Sequence, residues 1–227
     1  MSAEKAQGAK KPYGRLTNGE KGGSIKENMP PKNRGAGKDD DGMDYILASA
    51  SPRRREICRL AGIPVEICPA PDTAEPPLDR ALTPEEGALA VAKAKAEAVF
   101  ALYPERTVIG ADTSVWCGDE PLGKPKDEAD AGRMLALLQG RSHRVITAVW
   151  VCAPKKAAGF ADATEVTFYP MTGEEIREYV ATGEPLDKAG AYGIQGCGMR
   201  FIEGIRGDYY TVMGLPGAKL RRFLRDF

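Results

Sequence analysis

With 227 residues the chain can form one or two domains around a sizeable core, and 32 Lys plus Arg against 32 Asp plus Glu leave it formally neutral. That balance excludes a molecule built as a whole for nucleic-acid or membrane-surface binding. Five scattered cysteines, odd in number and without a CxxC, argue against a disulfide framework and a zinc site, and no apolar run reaches the ~18 residues of a membrane span.

The start of the chain has no apolar signal core, so a cytoplasmic protein is expected. Residues 1–41 contain no Val, Phe, Trp or Cys and carry nine basic and six acidic side chains. Such a segment cannot bury enough apolar surface to offset its ordering entropy, and it reads as a disordered extension ahead of one folded domain, 42–227.

A short strand at 43–47 leads into a loop, Ala48 to Ser51, and then a helix with Ser51 as N-cap, Pro52 at its first position and Gly62 as the stop. Ile57, Leu60 and Ala61 share one face of that helix and form its expected buried side. Three arginines in the first turn, Arg53, Arg54 and Arg55, oppose the helix dipole, a cost that a bound anion would remove. The next strand is expected at 63–68. A Pro- and acid-rich loop with Asp72 and Glu75 follows, and Thr83 caps an alanine-rich helix running to about residue 103. Lys93, Lys95 and Glu97 line that helix, most of them as a solvated face.

The stretch 107–126 reads as a buried strand ending at Asp112, a return through Gly118 and Asp119, and a lysine, Lys124, on a Gly/Pro-shaped loop. An acid at the end of a central strand stands where open α/β sheets bind ligands, and a fixed lysine nearby suits phosphate. An amphipathic helix at 127–138 stops at Gln139-Gly140. Strands at 141–152 and 160–169 follow, expected to pair antiparallel, then a helix at 172–181 with a Thr172/Glu175 capping box. The single histidine, His143, reads as a structural residue at a strand start, and any triad chemistry would have to use it. Four of the cysteines lie in apolar or helical segments and are expected in the core.

Residues 182–196, TGEPLDKAGAYGIQG, fit neither helical nor strand periodicity. A long Gly-punctuated loop with aromatic content reads as functional, and the Gln195 amide can both donate and accept, as reading a nucleobase edge requires. A strand at 199–205, a turn or short helix at 207–212 and a basic terminal helix at 215–227 complete the chain.

Three stretches together resemble the Maf family of nucleoside-triphosphate pyrophosphatases: ILASASPRR at 46–54, GADTSV…LGKPKDEADA at 110–131, and the 182–196 loop. GRSH at 140–143 and GDYYTVMGLP at 207–216 extend the likeness, in the same order, over residues 44–224. The resemblance implies an α/β fold like that of the inosine-triphosphatase group. Its mixed twisted sheet with flanking helices forms two lobes, and a nucleoside triphosphate substrate lies in the cleft between them.

It also implies a catalytic acid at Asp112, a phosphate-facing loop with Ser49, Arg53 and Arg54, and further substrate contacts from Lys95 and Lys124. Glu75 matches the family's second acidic position. Arg53, Thr113 and Gln195 match the branch acting on dTTP and UTP. Two positions depart from the family pattern: Thr211, where Asn is usual, and Gly217, where a bulky residue is usual. Asp112 would accept the proton of the attacking water or hold a divalent ion, Mg²⁺ or Mn²⁺, with Glu75 as second carboxylate. Neither a nucleic-acid nor a membrane partner is expected, and a homodimer is the assembly favoured by base rate. The expected activity is housecleaning hydrolysis of dTTP, UTP and modified pyrimidine nucleotides to monophosphate and pyrophosphate. The alternatives are another base preference and a regulatory binding protein of cell division, in keeping with the family's septum-formation label.

Overall fold

A computed structural model describes residues 45–77 and 79–227. The expected extension at 1–41 lies outside the described residues. These belong to a unit spanning Gly42–Phe227.

Seven strands form one mixed sheet: β1 (Tyr45–Leu47), β2 (Val65–Ile67), β3 (Val108–Cys117), β4 (Glu120–Leu122), β5 (Ser142–Ala153), β6 (Lys156–Phe168) and β7 (Ile202–Arg206). The order is β2-β1-β3-β5-β6-β7, with β4 added to β3. β1 runs parallel to β2 and β3, and all other pairs are antiparallel. The helices are α1 (Pro52–Leu60), α2 (Pro84–Phe100), α3 (Glu128–Leu138), α4 (Gly173–Val180), α5 (Tyr209–Met213) and α6 (Gly217–Asp226). Ser51 caps α1, and both Thr83/Glu86 and Thr172/Glu175 form complete capping boxes.

One edge of β3 explains the cleft. β5 pairs with β3 along its length from Val108 to Trp116. On the other edge β1 covers only Val108 and Ile109, and β4 covers only Val115 to Cys117. Residues 110–114 are left without a neighbour, and Asp112 and Thr113 sit in that gap. Asp112 is therefore mid-strand, not at a strand end as expected. It still lies past the C-terminal end of β1, the place the topological argument requires.

Two lobes flank the gap. On the β1 side Leu47, Ile57, Ile109, Val149, Leu215 and Leu220 form one core. On the β4 side Leu122, Leu135, Leu138, Phe168, Tyr179 and Tyr192 form another. β3 and β5 run through both, which makes the lobes one sheet bent around a cleft.

α2 packs on the other face of β3 and β5 unusually closely. Ala88, Ala92 and Ala96, spaced four apart, are buried with Val99. A Cβ at Gly110 would stand 2.3 Å from the Ala92 carbonyl oxygen and 2.8 Å from the Ala96 nitrogen. The alanine stripe and Gly110 together let helix and strand touch, and this brings Lys95, the neighbour of Ala96, to Asp112.

Several local expectations are corrected. Leu60 is 56% exposed; the buried face of α1 is Ile57 with Cys58. Among the cysteines only Cys58 and Cys152 are buried, and Cys197 is exposed. β6 starts at Lys156 rather than 160, because a tight return from Ala153 pairs a segment without β-formers against β5. A 3₁₀ turn, Cys197–Phe201, delays β7 to Ile202. At the family's Asn position, the Thr211 hydroxyl donates to Asp162 at 2.6 Å, and Asp162 also pairs with Lys219 at 2.8 Å. At the other departure, Gly217, a Cβ would meet the Ile57 side chain at 2.8 Å, so α1 and α6 touch there at the expense of any larger residue.

Candidate active site

The cleft has a volume of about 890 Å³, within the range of small-molecule sites, and all nine side chains singled out in the sequence line it. They come from five places: the β1–α1 loop and first turn (Ser49, Arg53, Arg54), the loop before α2 (Glu75), α2 (Lys95), the β3–β4 hairpin region (Asp112, Thr113, Lys124) and the Gly-rich loop (Gln195).

On one side, Lys95 Nζ donates to Asp112 Oδ1 at 2.8 Å and pairs with Glu75 Oε1 at 2.7 Å. Asp112 and Lys95 are largely shielded, with 20% and 14% of their side chains exposed, whereas Glu75 is half-exposed. Two carboxylates thus share one ammonium, in a place that favours positive charge. Among the described residues no cluster of three or more His, Cys, Asp or Glu is arranged to hold a metal. Glu75 and Asp112 are the pair that could contribute oxygens to one.

On the other side, Arg54 donates through all three guanidinium nitrogens: Nε to the Gly214 carbonyl at 2.8 Å, Nη1 to Ser49 Oγ at 3.1 Å and Nη2 to Thr113 Oγ1 at 3.2 Å. Every acceptor is neutral. Burial lowers the Arg54 pKa, and the Asp112 charge works against that shift. A half-buried cation held by neutral acceptors is poised for an anion. Arg53, Lys124 and Gln195 are exposed at the rim and make no side-chain hydrogen bond or ion pair to a described residue. The Gln195 amide is not self-satisfied.

Sequence reading missed the supports of this site. Glu184 ties down the Gly-rich loop: it accepts from the N–H groups of Cys197 at 2.8 Å and Gly198 at 3.2 Å and from the Tyr179 hydroxyl at 2.8 Å. Burial pushes the Glu184 carboxyl up, but these donors outweigh it and hold it below the usual range. Tyr179 in turn accepts from the Gly193 N–H at 3.2 Å. Gly196 lies at φ 90°, and a Cβ there would meet Glu184 at 2.7 Å. An acid set directly after Gly183 in a glycine-punctuated loop was the available signal.

His143 is the structural residue expected. It is buried at 2% exposure, bonded through Nε2 to the Tyr192 hydroxyl at 2.8 Å, and set edge-on to Phe168 and Tyr192. Burial pushes its pKa down to about 4 from the usual 6.5. The unfolded chain therefore binds the extra proton below pH 6.5 and the folded one only near pH 4. Its contribution is fully present above pH 6.5 and is lost as pH falls through this window, by roughly 3 kcal/mol in all. Urea unfolding followed between pH 7 and 4.5 is expected to show this acid slope, and His143→Gln to flatten it.

A family model described as "Maf-like protein" matches residues 44–227. The chain is 50% identical over 182 residues to a "dTTP/UTP pyrophosphatase" of Bacillus velezensis, covering 80% of this chain and 95% of the relative. It is 48% identical over 183 residues to the protein of the same name from Bacillus cytotoxicus, covering 81% and 95%. Among solved structures it resembles a Staphylococcus aureus Ham1 protein, with a TM-score of 0.43 and 15% identity over 81% of this chain and 98% of that one. A nucleoside-triphosphatase / dITP/XTP pyrophosphatase from Mycobacterium abscessus is similar at a TM-score of 0.41 and 16% identity, over 81% and 95%. No helix among the described residues is long and apolar enough to cross a membrane.

Proposed function

The chain belongs to the Maf-like family, and on that premise we propose how its cleft works as a nucleoside-triphosphate pyrophosphatase. The substrates are dTTP and UTP, with modified pyrimidine nucleotides as further candidates, and the products are the monophosphate and pyrophosphate. The role is nucleotide housecleaning in the cytoplasm, and the catalytic domain is 42–227. The observation that carries the reading is one carboxylate, Asp112, in a cleft lined by cations: Lys95 at 2.8 Å, Arg54 on fixed neutral acceptors, and the exposed Arg53 and Lys124 at the rim.

Hydrolysis of the α–β bond needs a positioned water, a proton acceptor and positive charge where the leaving pyrophosphate develops negative charge. Asp112 is the proton acceptor. Its Oδ1 is held by Lys95, while Oδ2 has no protein partner among the described residues and is free for water. Arg53, Arg54 and Lys124 hold the triphosphate, and Ser49 fixes the Arg54 fork. Gln195 and Thr113 face the base. A site that hydrogen-bonds a base edge rejects the wrong base because its own polar groups would go unpaired.

The donor set fits a hard divalent cation. Glu75 and Asp112 already converge on one cationic nitrogen, and Mg²⁺ characteristically takes one or two carboxylates, with water and phosphate oxygens supplying the rest. Glu75 and Asp112 would hold it. When bound, the ion would supply Lewis-acid neutralisation of phosphate charge.

The test is pyrophosphate release from dTTP, UTP, CTP and GTP, each with and without Mg²⁺. Turnover of dTTP and UTP well above the others, abolished by chelation, is expected. Equal turnover of the purine triphosphates would remove Gln195 as the selector.

A further inference from the structure

Thr113 and Thr147 are direct cross-strand partners on β3 and β5. Their hydroxyl oxygens are 2.9 Å apart, a pair in which either could donate. The surroundings decide which one does. Thr147 is fully buried, and its hydroxyl also stands 2.7 Å from the Thr211 carbonyl oxygen of α5, which can only accept. The single Thr147 proton is therefore committed to that carbonyl, and Thr147 must accept from Thr113. At the same time Thr113 Oγ1 accepts from Arg54 Nη2 at 3.2 Å. The one Thr113 proton thus points into the sheet, and what Thr113 turns to the cleft is a lone pair.

We infer that Thr147, which does not line the cleft, is a specificity-determining positioning residue: it takes the Thr113 proton and fixes Thr113 as an obligate acceptor for the substrate. This rests on the dTTP/UTP pyrophosphatase reading above. An acceptor-only oxygen repels phosphate and needs a donor on the ligand. Uracil and thymine present a ring N–H at N3, where cytosine presents a lone pair. Gln195 cannot make this distinction alone. Its amide has no partner among the described residues and can turn either its oxygen or its nitrogen to the base. Thr113, oriented through Thr147, cannot turn, and so it carries the discrimination between uracil and cytosine.

The experiment compares kcat/KM for UTP and CTP in the full chain and in Thr147→Val and Thr147→Ser. In Thr147→Val the isosteric methyl accepts nothing, the Thr113 hydroxyl is released to donate, and the UTP:CTP ratio falls about tenfold, the worth of one mis-set hydrogen bond. Thr147→Ser keeps the acceptor and restores the ratio. Loss of packing alone would lower both turnovers together and leave the ratio in place. An unchanged ratio in Thr147→Val, with UTP still preferred, overturns the inference and leaves the proposed activity standing. A wild-type chain that turns over CTP as well as UTP overturns the proposed preference for dTTP and UTP, and the inference with it.

Discussion

Asp112→Asn is expected to lower pyrophosphate release from dTTP by about 10³-fold, the usual weight of a positioned general base. The change keeps the shape of the side chain and removes only its charge and basicity. Lys95 keeps Glu75 at 2.7 Å, so its ammonium is not stranded in the cleft. The melting temperature should therefore stay within a few degrees of the parent, and circular dichroism should be unchanged. Folded but inactive protein is the result that places the Asp112 carboxylate in the chemistry, as proton acceptor or as an oxygen donor to the ion. The same variant separates the two classes of function left open by the sequence. A regulatory binding protein would keep its cellular effect with hydrolysis gone, whereas an enzyme loses both together. Activity within tenfold of wild type would sink the assignment of Asp112.

Arg54→Met should be nearly as damaging, with kcat/KM falling about 10²- to 10³-fold, comparable to removing a preorganised donor from a developing oxyanion. Arg54 spends all three nitrogens on Ser49, Thr113 and Gly214, and none on a carboxylate. Its charge makes no ion pair with a described residue, so removing it breaks none. Stability is expected to drop by no more than ~2–4 °C in Tm, the equivalent of about one lost hydrogen bond in a chain of this size. Arg54→Lys should recover little, because an ammonium cannot reproduce a planar three-way fork. Steady-state kinetics with dTTP and a thermal melt of both variants decide the matter. A large loss of stability with activity retained would make Arg54 a structural residue.

The helices are legible from local signals. Ser51, Thr83 and Thr172 cap where their chemistry says they should, because a cap is settled within four residues. β3 extends past the Asp112 expected to end it, to Cys117, although Gly110 and Asp112 interrupt its apolar pattern. The strand continues through them on the strength of its pairing with β5, which no local window contains. The apolar Leu60 sits at a helical spacing that suits burial, yet no described element covers it.

The charged members of the site were legible because their residue types are costly without a purpose: three arginines at a helix start, and a lysine on a Gly/Pro turn. Their supports were not. Glu184, Tyr179 and the hydroxyl row from Thr113 through Thr147 to the Thr211 carbonyl are ordinary residues in sequence. Only sheet register and loop closure bring them together. The motif resemblance located the cleft, but no motif specifies the direction of a hydroxyl proton.

Between Glu75 and Asp112 stands an ammonium on a flexible four-carbon stem rather than a rigid guanidinium. The chain thereby carries its own tethered counterion. One lysine compensates both carboxylates, so a cation taken up between them must share them with it or displace it. A triphosphate would draw on the same lysine, and positive charge brought in with the nucleotide would then take its place between the two carboxylates.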